Sequence, residues 1–303
     1  MNILMPCKLR AEPLRTAKAL LEQRGHRCTF LPWDSAAHLR ETVRTGGFDT
    51  LLCAETAVLP RGELPIRTVY LASTFFCAER FPPHGVTQCL IPHELLSFDF
   101  ITHGVKDRSV RVCGVPLAQT SLTVLPRADC CRAWGLQADR PVFLASGEAV
   151  SLSVLKSYVS AVRNFCPTAQ ILLLGSGEAR RNGWMRAFAA RDNVFVSDPE
   201  TSFALGLSAA DAVFTPAFAP LVCAAARQGK TIALLHSTVP RAVKNAAFLA
   251  DNGAAFLGKS TADGVSYVRR LLDSDRLRQN MRAAQEKLIV PDAESRFLAI
   301  MEE

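Results

Sequence analysis

Short apolar runs alternate with amphipathic stretches along the chain, which is the pattern of alternating strands and helices. The first run ends at Met5, a helical pattern covers residues 11–24 and stops at Gly25, and RCTFLPW predicts the next strand. A helix over 35–45 follows. Four more strands are predicted over FDTLLCA, IRTVYLAS, VTQCLI and SVRVCGV, with a short helix near 94–102 before the last. This order predicts a mostly parallel sheet covered by helices on both faces.

The segment GVPLAQTSLTVLPRADCC has no sustained period and is predicted to connect two domains, with a boundary near residue 115. Beyond it, strands are predicted over RPVFLAS, AQILLLG, NVFVSD, ADAVFTP, KTIALL and GAAFL. Helices are predicted from about Leu152, Glu178, Pro220 and Arg241, and over 261–273, 275–288 and 292–302. We therefore expect an α/β protein with two Rossmann-like domains, 1–115 and 116–288, and a cleft between them. A last helix within 289–303 could cross back to the N-terminal domain.

The composition of the chain indicates which kinds of partner and site to expect. The 303 residues carry a formal net charge of +7, which favours an anionic partner such as a nucleotide or a phospholipid surface. The few aromatic residues are not interleaved with Lys and Arg, so nucleic acid is not the expected partner. The ten cysteines are scattered without a CxxC pair, which favours reduced thiols over disulfides or a metal site. With no signal peptide and no long apolar run, a cytoplasmic protein is expected.

The loops that follow the strands of the second domain are the expected ligand-binding loops, because ligands bind beyond the carboxyl ends of parallel strands. They contain Ser146-Gly147-Glu148, the glycines of GSG at 175–177, the run 215–219, and 236–245. Glycine turns and helix N-termini can bind a diphosphate through backbone N–H groups. The alternative is that these glycines only close strand-to-helix turns.

Several long segments match a known family in order: GVTQCLIPHELLSFDFITHGVKDRSVRVCGVPLA, FLASGEA, ILLLGSGEA, SAADAVFTP, NAAFLADNGAA and LLDSDRLRQNM. The chain thereby resembles the monogalactosyldiacylglycerol synthase and processive diacylglycerol glucosyltransferase family, which is related to the lipid II synthase of peptidoglycan assembly. The resemblance implies the GT-B glycosyltransferase fold, a UDP-sugar-type donor as substrate, no metal or other cofactor, and an acceptor in the N-terminal domain. That acceptor is often a lipid, with peripheral attachment to an anionic membrane surface.

The family match, with the strand-end loops, defines the predicted donor site. The residues are Ser146, Gly147, Gly175, Gly177, Ala217, Phe218, Ala219, Arg241 and Asn245. Lys230 is a further candidate for a bound phosphate. A membrane contact could come from Phe75, Phe76, Phe81 and Arg80, although these phenylalanines could equally fill the core.

Departures from the family pattern favour a loss of catalysis. Ala224 stands where the family has the acidic residue that holds the ribose, and Ser73-Thr74 stand where it has Thr-Asp. Glu55, Glu79, His84 and His93 are the remaining candidates for a general base. The first hypothesis is a hexosyltransferase that acts on a lipid or other hydroxyl acceptor. The second is a catalytically inactive binding or partner subunit, and a nucleotide-sugar epimerase of the same fold is the third.

Overall fold

The computed structural model describes residues 1–8, 12–60, 62–79, 81–82, 85–175, 177–188, 191–197 and 199–303. The chain divides into two compact units. Unit 1 comprises Met1–Ala118 and Ile289–Glu303, and unit 2 comprises Gln119–Leu288. Across the described ranges, no helix is both long and apolar enough to cross a bilayer.

Unit 1 is built on a six-stranded parallel sheet in the order β2-β1-β3-β4-β5-β6. Its strands are β1 (Asn2–Cys7), β2 (Arg27–Pro32), β3 (Thr50–Cys53), β4 (Arg67–Leu71), β5 (Gln88–Ile91) and β6 (Val110–Val112). Its first helices are α1 (Glu12–Gln23), α2 (Ala36–Thr45) and α3 (Ser97–Thr102), and 3-10 turns occupy Thr56–Val58, Glu94–Leu96 and Asp107–Ser109. The strands between the edges are almost continuously buried, as parallel strands covered on both faces require.

The helices of unit 1 follow from local signals. The side chain of Ser35 caps α2 by accepting the N–H of His38 at 3.1 Å. The last helix of the chain, Ala293–Glu302, also belongs to this unit, and the Arg67 guanidinium donates to the carbonyl of Met301 at 2.7 Å and to that of Ile300. Gly114 has a φ of 85°, and a Cβ there would lie 2.7 Å from the side chain of Ala293, so glycine lets this helix approach closely.

Unit 2 contains a five-stranded parallel sheet in the order β11-β10-β7-β8-β9. Its strands are β7 (Val142–Ser146), β8 (Gln170–Leu174), β9 (Val194–Ser197), β10 (Ala212–Thr215) and β11 (Thr231–Leu234). Its helices are α4 (Gln119–Leu122), α5 (Arg127–Trp134), α6 (Leu152–Phe165), α7 (Glu178–Phe188), α8 (Pro199–Ala209), α9 (Ala219–Arg227), α10 (Pro240–Asp251), α11 (Thr261–Leu272) and α12 (Asp275–Leu288). The C-terminal helix of unit 1 is α13.

The core on one face of the unit 2 sheet is formed by alternate strand residues, including Phe143, Ile171 and Phe214, packed against α6 and α11. The predicted fold class, two parallel-sheet α/β domains, is confirmed. The strand predicted over GAAFL is wrong, because only Phe256 bridges to Ala233 before Ser260 caps α11. Helices α4, α5 and α8 form where no helix was predicted.

Candidate functional site

The strand order of unit 2 reverses between β7 and β10, since β8 and β9 extend the sheet to one side and β11 to the other. Ligands of open parallel sheets bind at such a switch point, beyond the carboxyl ends of the strands. Two loops meet there: 147–151 after β7 and 216–218 after β10. The loop after β11, which leads into α10, adjoins them, and Leu235 N–H donates to the Thr215 carbonyl at 2.9 Å.

The loop after β7 is a tight turn closed by the Val150 N–H, which donates to the Gly147 carbonyl at 3.3 Å. Ala149 has a φ of 55°, a left-handed conformation that costs an L-residue about 1 kcal/mol or more. Ser151 then caps α6 by accepting the Val154 N–H at 3.3 Å. Strained residues cluster at functional sites, which singles out this turn as part of a candidate site.

The glycines predicted to bind the donor pack against a tryptophan of the unit 2 core. A Cβ on Gly147 would lie 2.6 Å from Cζ2 of Trp184 and closer still to Cη2. A Cβ on Gly175 would lie 2.7 Å from Cη2 and closer still to Cζ3. Both glycines are buried, whereas Gly177 is exposed with a φ of 84° and open space around it. Both glycines make room for the indole of Trp184, which is a reason for glycine at these positions other than the predicted contact with the donor.

The loop after β10 leads into α9. The residues predicted to bind the donor here are buried: Ser146 at the end of β7, Ala217 in the loop and Ala219 at the start of α9. Phe218 is 9% exposed. No side chain caps the first turn of α9, and Pro220 lies within that turn. An uncapped helix N-terminus presents N–H groups and a positive dipole end toward an anion. Ala224, within α9, is buried.

The first turn of α10 lies beside this loop. It also lacks a side-chain cap, and its Arg241 guanidinium lies 5.0 Å from the ring centroid of Phe218. Asn245 is 1% exposed, and its Nδ2 donates to the Ala217 carbonyl at 2.8 Å. The buried amide of Asn245 thus joins α10 to the loop after β10. His236, Arg241 and Lys244 are exposed on this segment.

Lys230 does not lie at this edge. It precedes β11, at the amino end of the strand, and its Nζ donates to the carbonyls of Ala210 at 2.8 Å and Ser208 at 3.5 Å. Burial lowers the pKa of Lys230, an effect that Asp211 opposes. Lys230 therefore does not belong to the loops at the carboxyl ends of the strands, where it was expected.

The base candidates lie in unit 1, where the strand order reverses between β1 and β3. Glu55 follows β3, and its Oε1 accepts the Lys8 N–H at 3.4 Å. Burial raises the pKa of the Cys7 thiol, and the negative charge of Glu55 raises it further. His93 is used as a cap, because its Nδ1 accepts the Leu95 N–H at 3.2 Å. Glu79 is exposed, and His84 lies outside the described residues.

A carboxylate that the sequence analysis missed lies beside the loop after β4. Asp99 Oδ2 accepts the Cys77 N–H at 2.6 Å, and Asp99 Oδ1 is 3.4 Å from His103 Nδ1. The i,i+4 spacing of Asp99, in the predicted helix 94–102, and His103, just after it, was the available signal. Thr74, which stands where the family has an aspartate, donates its hydroxyl to the Phe76 carbonyl at 3.0 Å.

The phenylalanines considered for membrane contact are largely internal. Phe75 and Phe81 are buried, and the Phe81 ring packs edge-on against Tyr70 at 5.0 Å and Phe100 at 5.6 Å. Phe76 is half-buried. The exposed apolar side chains of this region are instead Leu95, 58% exposed, and Phe98, 76% exposed. Within the described ranges, no three His, Cys, Asp or Glu side chains gather closely enough to hold a metal ion.

No model of a known family and no curated protein sequence matches the chain. Solved structures do match its fold. S. aureus MnaA in a co-structure with UDP has a TM-score of 0.68 and 11% identity, covering 99% of this chain and 96% of its own. The UDP-GlcNAc 2-epimerase of Neisseria meningitidis, bound to UDP-GlcNAc, has a TM-score of 0.65, 13% identity and full coverage of both chains. MurG of Acinetobacter baumannii has a TM-score of 0.65 and 13% identity, covering 100% of this chain and 99% of its own. At these identities the likeness establishes the GT-B fold and leaves the family open.

Proposed function

We propose that unit 2 binds a nucleoside-diphosphate sugar, of the UDP-sugar type, at the switch point between β7 and β10, and that the chain transfers its hexose to a hydroxyl acceptor. The observation that carries the proposal is the meeting of the uncapped first turns of α9 and α10, with Arg241 stacked on Phe218, at this point of the sheet. Fold neighbours that hold UDP or UDP-GlcNAc support it.

In the proposed reaction, an acceptor oxygen forms a bond to the anomeric carbon of the sugar. The bond from that carbon to the diphosphate oxygen breaks, and the nucleoside diphosphate leaves with the bonding electrons. The helix N–H groups and Arg241 would stabilise its charge. The hydroxyl proton would pass to a general base.

We further propose that the acceptor is a lipid. The ordered motif resemblance to the diacylglycerol glycosyltransferases suggests it, and the exposed pair Leu95 and Phe98 offers apolar surface for a membrane or a lipid chain. Peripheral attachment to a membrane would follow from the same surface. A soluble hydroxyl acceptor is the alternative that a product assay would reveal.

A second candidate function is binding of the nucleotide sugar without transfer, as a partner subunit. Two residues favour it. Thr74 uses its hydroxyl within its own loop, and Ala224 is buried where the family has an acidic residue. Such a protein would bind the donor and would neither hydrolyse nor transfer it.

The test is a thermal-shift and calorimetric titration with UDP and with UDP-, GDP- and dTDP-sugars, followed by assays of donor hydrolysis and lipid glycosylation. A ligand at a hundred times its Kd stabilises the native state by about 2.7 kcal/mol. Arg241→Gln should weaken binding, whereas Arg270→Gln, an exposed arginine of α11, should not. A flat response to every nucleotide would refute the proposal, and binding without turnover would select the second candidate.

A further inference from the structure

Trp184 of α7 lies against two loops of the candidate site at once. Its side chain is 4% exposed and belongs to the core between the sheet and α6. The six-membered ring occupies the space next to Gly147, after β7, and next to Gly175, after β8. One rigid side chain therefore touches the turns that follow two neighbouring strands.

The glycines at these positions are explained by the indole rather than by the backbone. Neither Gly147 nor Gly175 has a left-handed φ, so their backbone conformation would accept a side chain. The two turns are also joined directly, since Gly147 N–H donates to the Leu174 carbonyl at 2.9 Å. The Gly175 N–H donates to the Ser197 carbonyl, at the end of β9, at 3.0 Å. The indole thus sets the distance between the turn after β7 and the core beneath it.

Hydrogen bonds connect this turn to the first turn of α10, which carries Arg241. The Ser237 hydroxyl donates to the Ala149 carbonyl at 3.1 Å and accepts the Val239 N–H at 3.2 Å. Val239 is the N-cap residue of α10, whose first turn carries Arg241. A shift of the turn at 147–150 would therefore be passed through Ser237 to the start of α10.

We propose that Trp184 is a positioning residue of the nucleotide-sugar site: its indole fixes the turn at 147–150 and, through Ser237, the start of α10 and Arg241. The inference rests on the proposed function for its consequence on ligand affinity. Trp184 would touch no ligand atom. Sites coupled through packed side chains and hydrogen bonds typically change affinity by roughly two- to thirty-fold when a link is altered.

The test compares Trp184→Phe with the double variant Trp184→Phe/Gly147→Ala. Phenylalanine lacks the ring atoms Cη2 and Cζ2 that fill the space beside Gly147, and a methyl group at residue 147 would enter that space. Trp134→Phe is the matched control, because Trp134 is a half-buried tryptophan of unit 2 in a different cluster, with Cys130 and Leu136. UDP-sugar affinity and amide exchange at Val150 and Val239 are measured for each.

We expect Trp184→Phe to lower affinity two- to thirty-fold and to speed exchange at both amides. The double variant should recover both properties, and Trp134→Phe should leave both unchanged. Unaltered affinity in Trp184→Phe, no recovery in the double variant, or an equal loss in Trp134→Phe would overturn the inference. If the wild-type protein binds no nucleotide sugar, the proposed function fails, and amide exchange alone decides whether Trp184 positions the turn and α10.

Discussion

Adding one methyl group at Gly175 tests the packing beneath the candidate site without removing any existing contact. In Gly175→Ala, the new Cβ would lie 2.7 Å from Cη2 and 2.9 Å from Cε3 of Trp184, and closer still to Cζ3. Ordinary carbon–carbon contacts are about 3.5–4.0 Å, so the ring or the turn must move by roughly 1 Å. Trp184 is rigid and buried, which leaves it little room to do so.

Overpacking of this kind costs about 1–3 kcal/mol. For a unit of this size, each kcal/mol lowers the Tm by roughly 2–4 °C, so we expect a fall of roughly 2–12 °C. Gly183, one residue before Trp184, supplies the opposite case. It lies inside α7 with nothing within 4 Å of a Cβ. Gly183→Ala should therefore stabilise the protein by about 0.5–1 kcal/mol.

The assay is urea and thermal unfolding followed by tryptophan fluorescence in a Trp33→Phe background. Trp134 and Trp184 then report on unit 2, since Trp33 is the tryptophan of unit 1. The m-value should stay constant in both variants. A Gly175→Ala protein as stable as the parent would refute the packing of Trp184 under this turn. Equal losses from Gly175→Ala and Gly183→Ala would refute it too.

Three further predictions concern the turn after β7 and the thiols. Ala149→Gly should raise stability by about 1 kcal/mol, measured by urea unfolding, because glycine adopts the left-handed conformation without strain; a loss would contradict the strain at this turn. In the native protein, a thiol reagent should modify Cys7 and Cys166, which are half-buried, well before the eight buried cysteines, and rapid labelling of all ten would refute the burial. Burial, and to a lesser extent the charge of Glu22, raises the pKa of the Cys28 thiol from 9.0 to about 11. The folded state therefore favours the protonated thiol, and the stability that is fully present below pH 9 is lost as the pH rises toward 11. Unfolding at pH 8 and pH 10 should show a loss of roughly 1 kcal/mol that Cys28→Ala lacks, and equal losses would contradict the shift.

The strands and long helices were predictable because their apolar periods are clear. Helix α8 was missed because most of the polar residues of its segment, PETSFALGLSA, stand at its start, so the segment has no separate polar and apolar faces. Helix α5 was missed because the short run from Arg127 to Trp134 follows two prolines and lacks a sustained period. GAAFL has strand composition, but Gly258 and the capping box at Ser260 end it after one bridge.

The positions of the candidate loops followed from the strand order, whereas the roles of their residues did not. A glycine that admits a ligand and a glycine that admits Trp184 look alike in a sequence, because the indole reaches Gly147 from 37 residues further along the chain. Asn245 was predicted to bind the donor, whereas its burial and its bond to Ala217 depend on tertiary packing that the sequence does not reveal. The pairing of Arg241 with Phe218 likewise joins two helices and left no local signal.

The most direct measurement of the central claim is a map of amide chemical-shift changes on addition of saturating UDP-sugar to the isotope-labelled protein. We expect shifts concentrated at 147–150, at the start of α9 from Phe218 and at the start of α10 around Arg241. Amides at the opposite edge of the same sheet, such as Gln170 and Lys230, should stay unchanged. Shifts confined to that opposite edge, or no shifts at any residue, would contradict it.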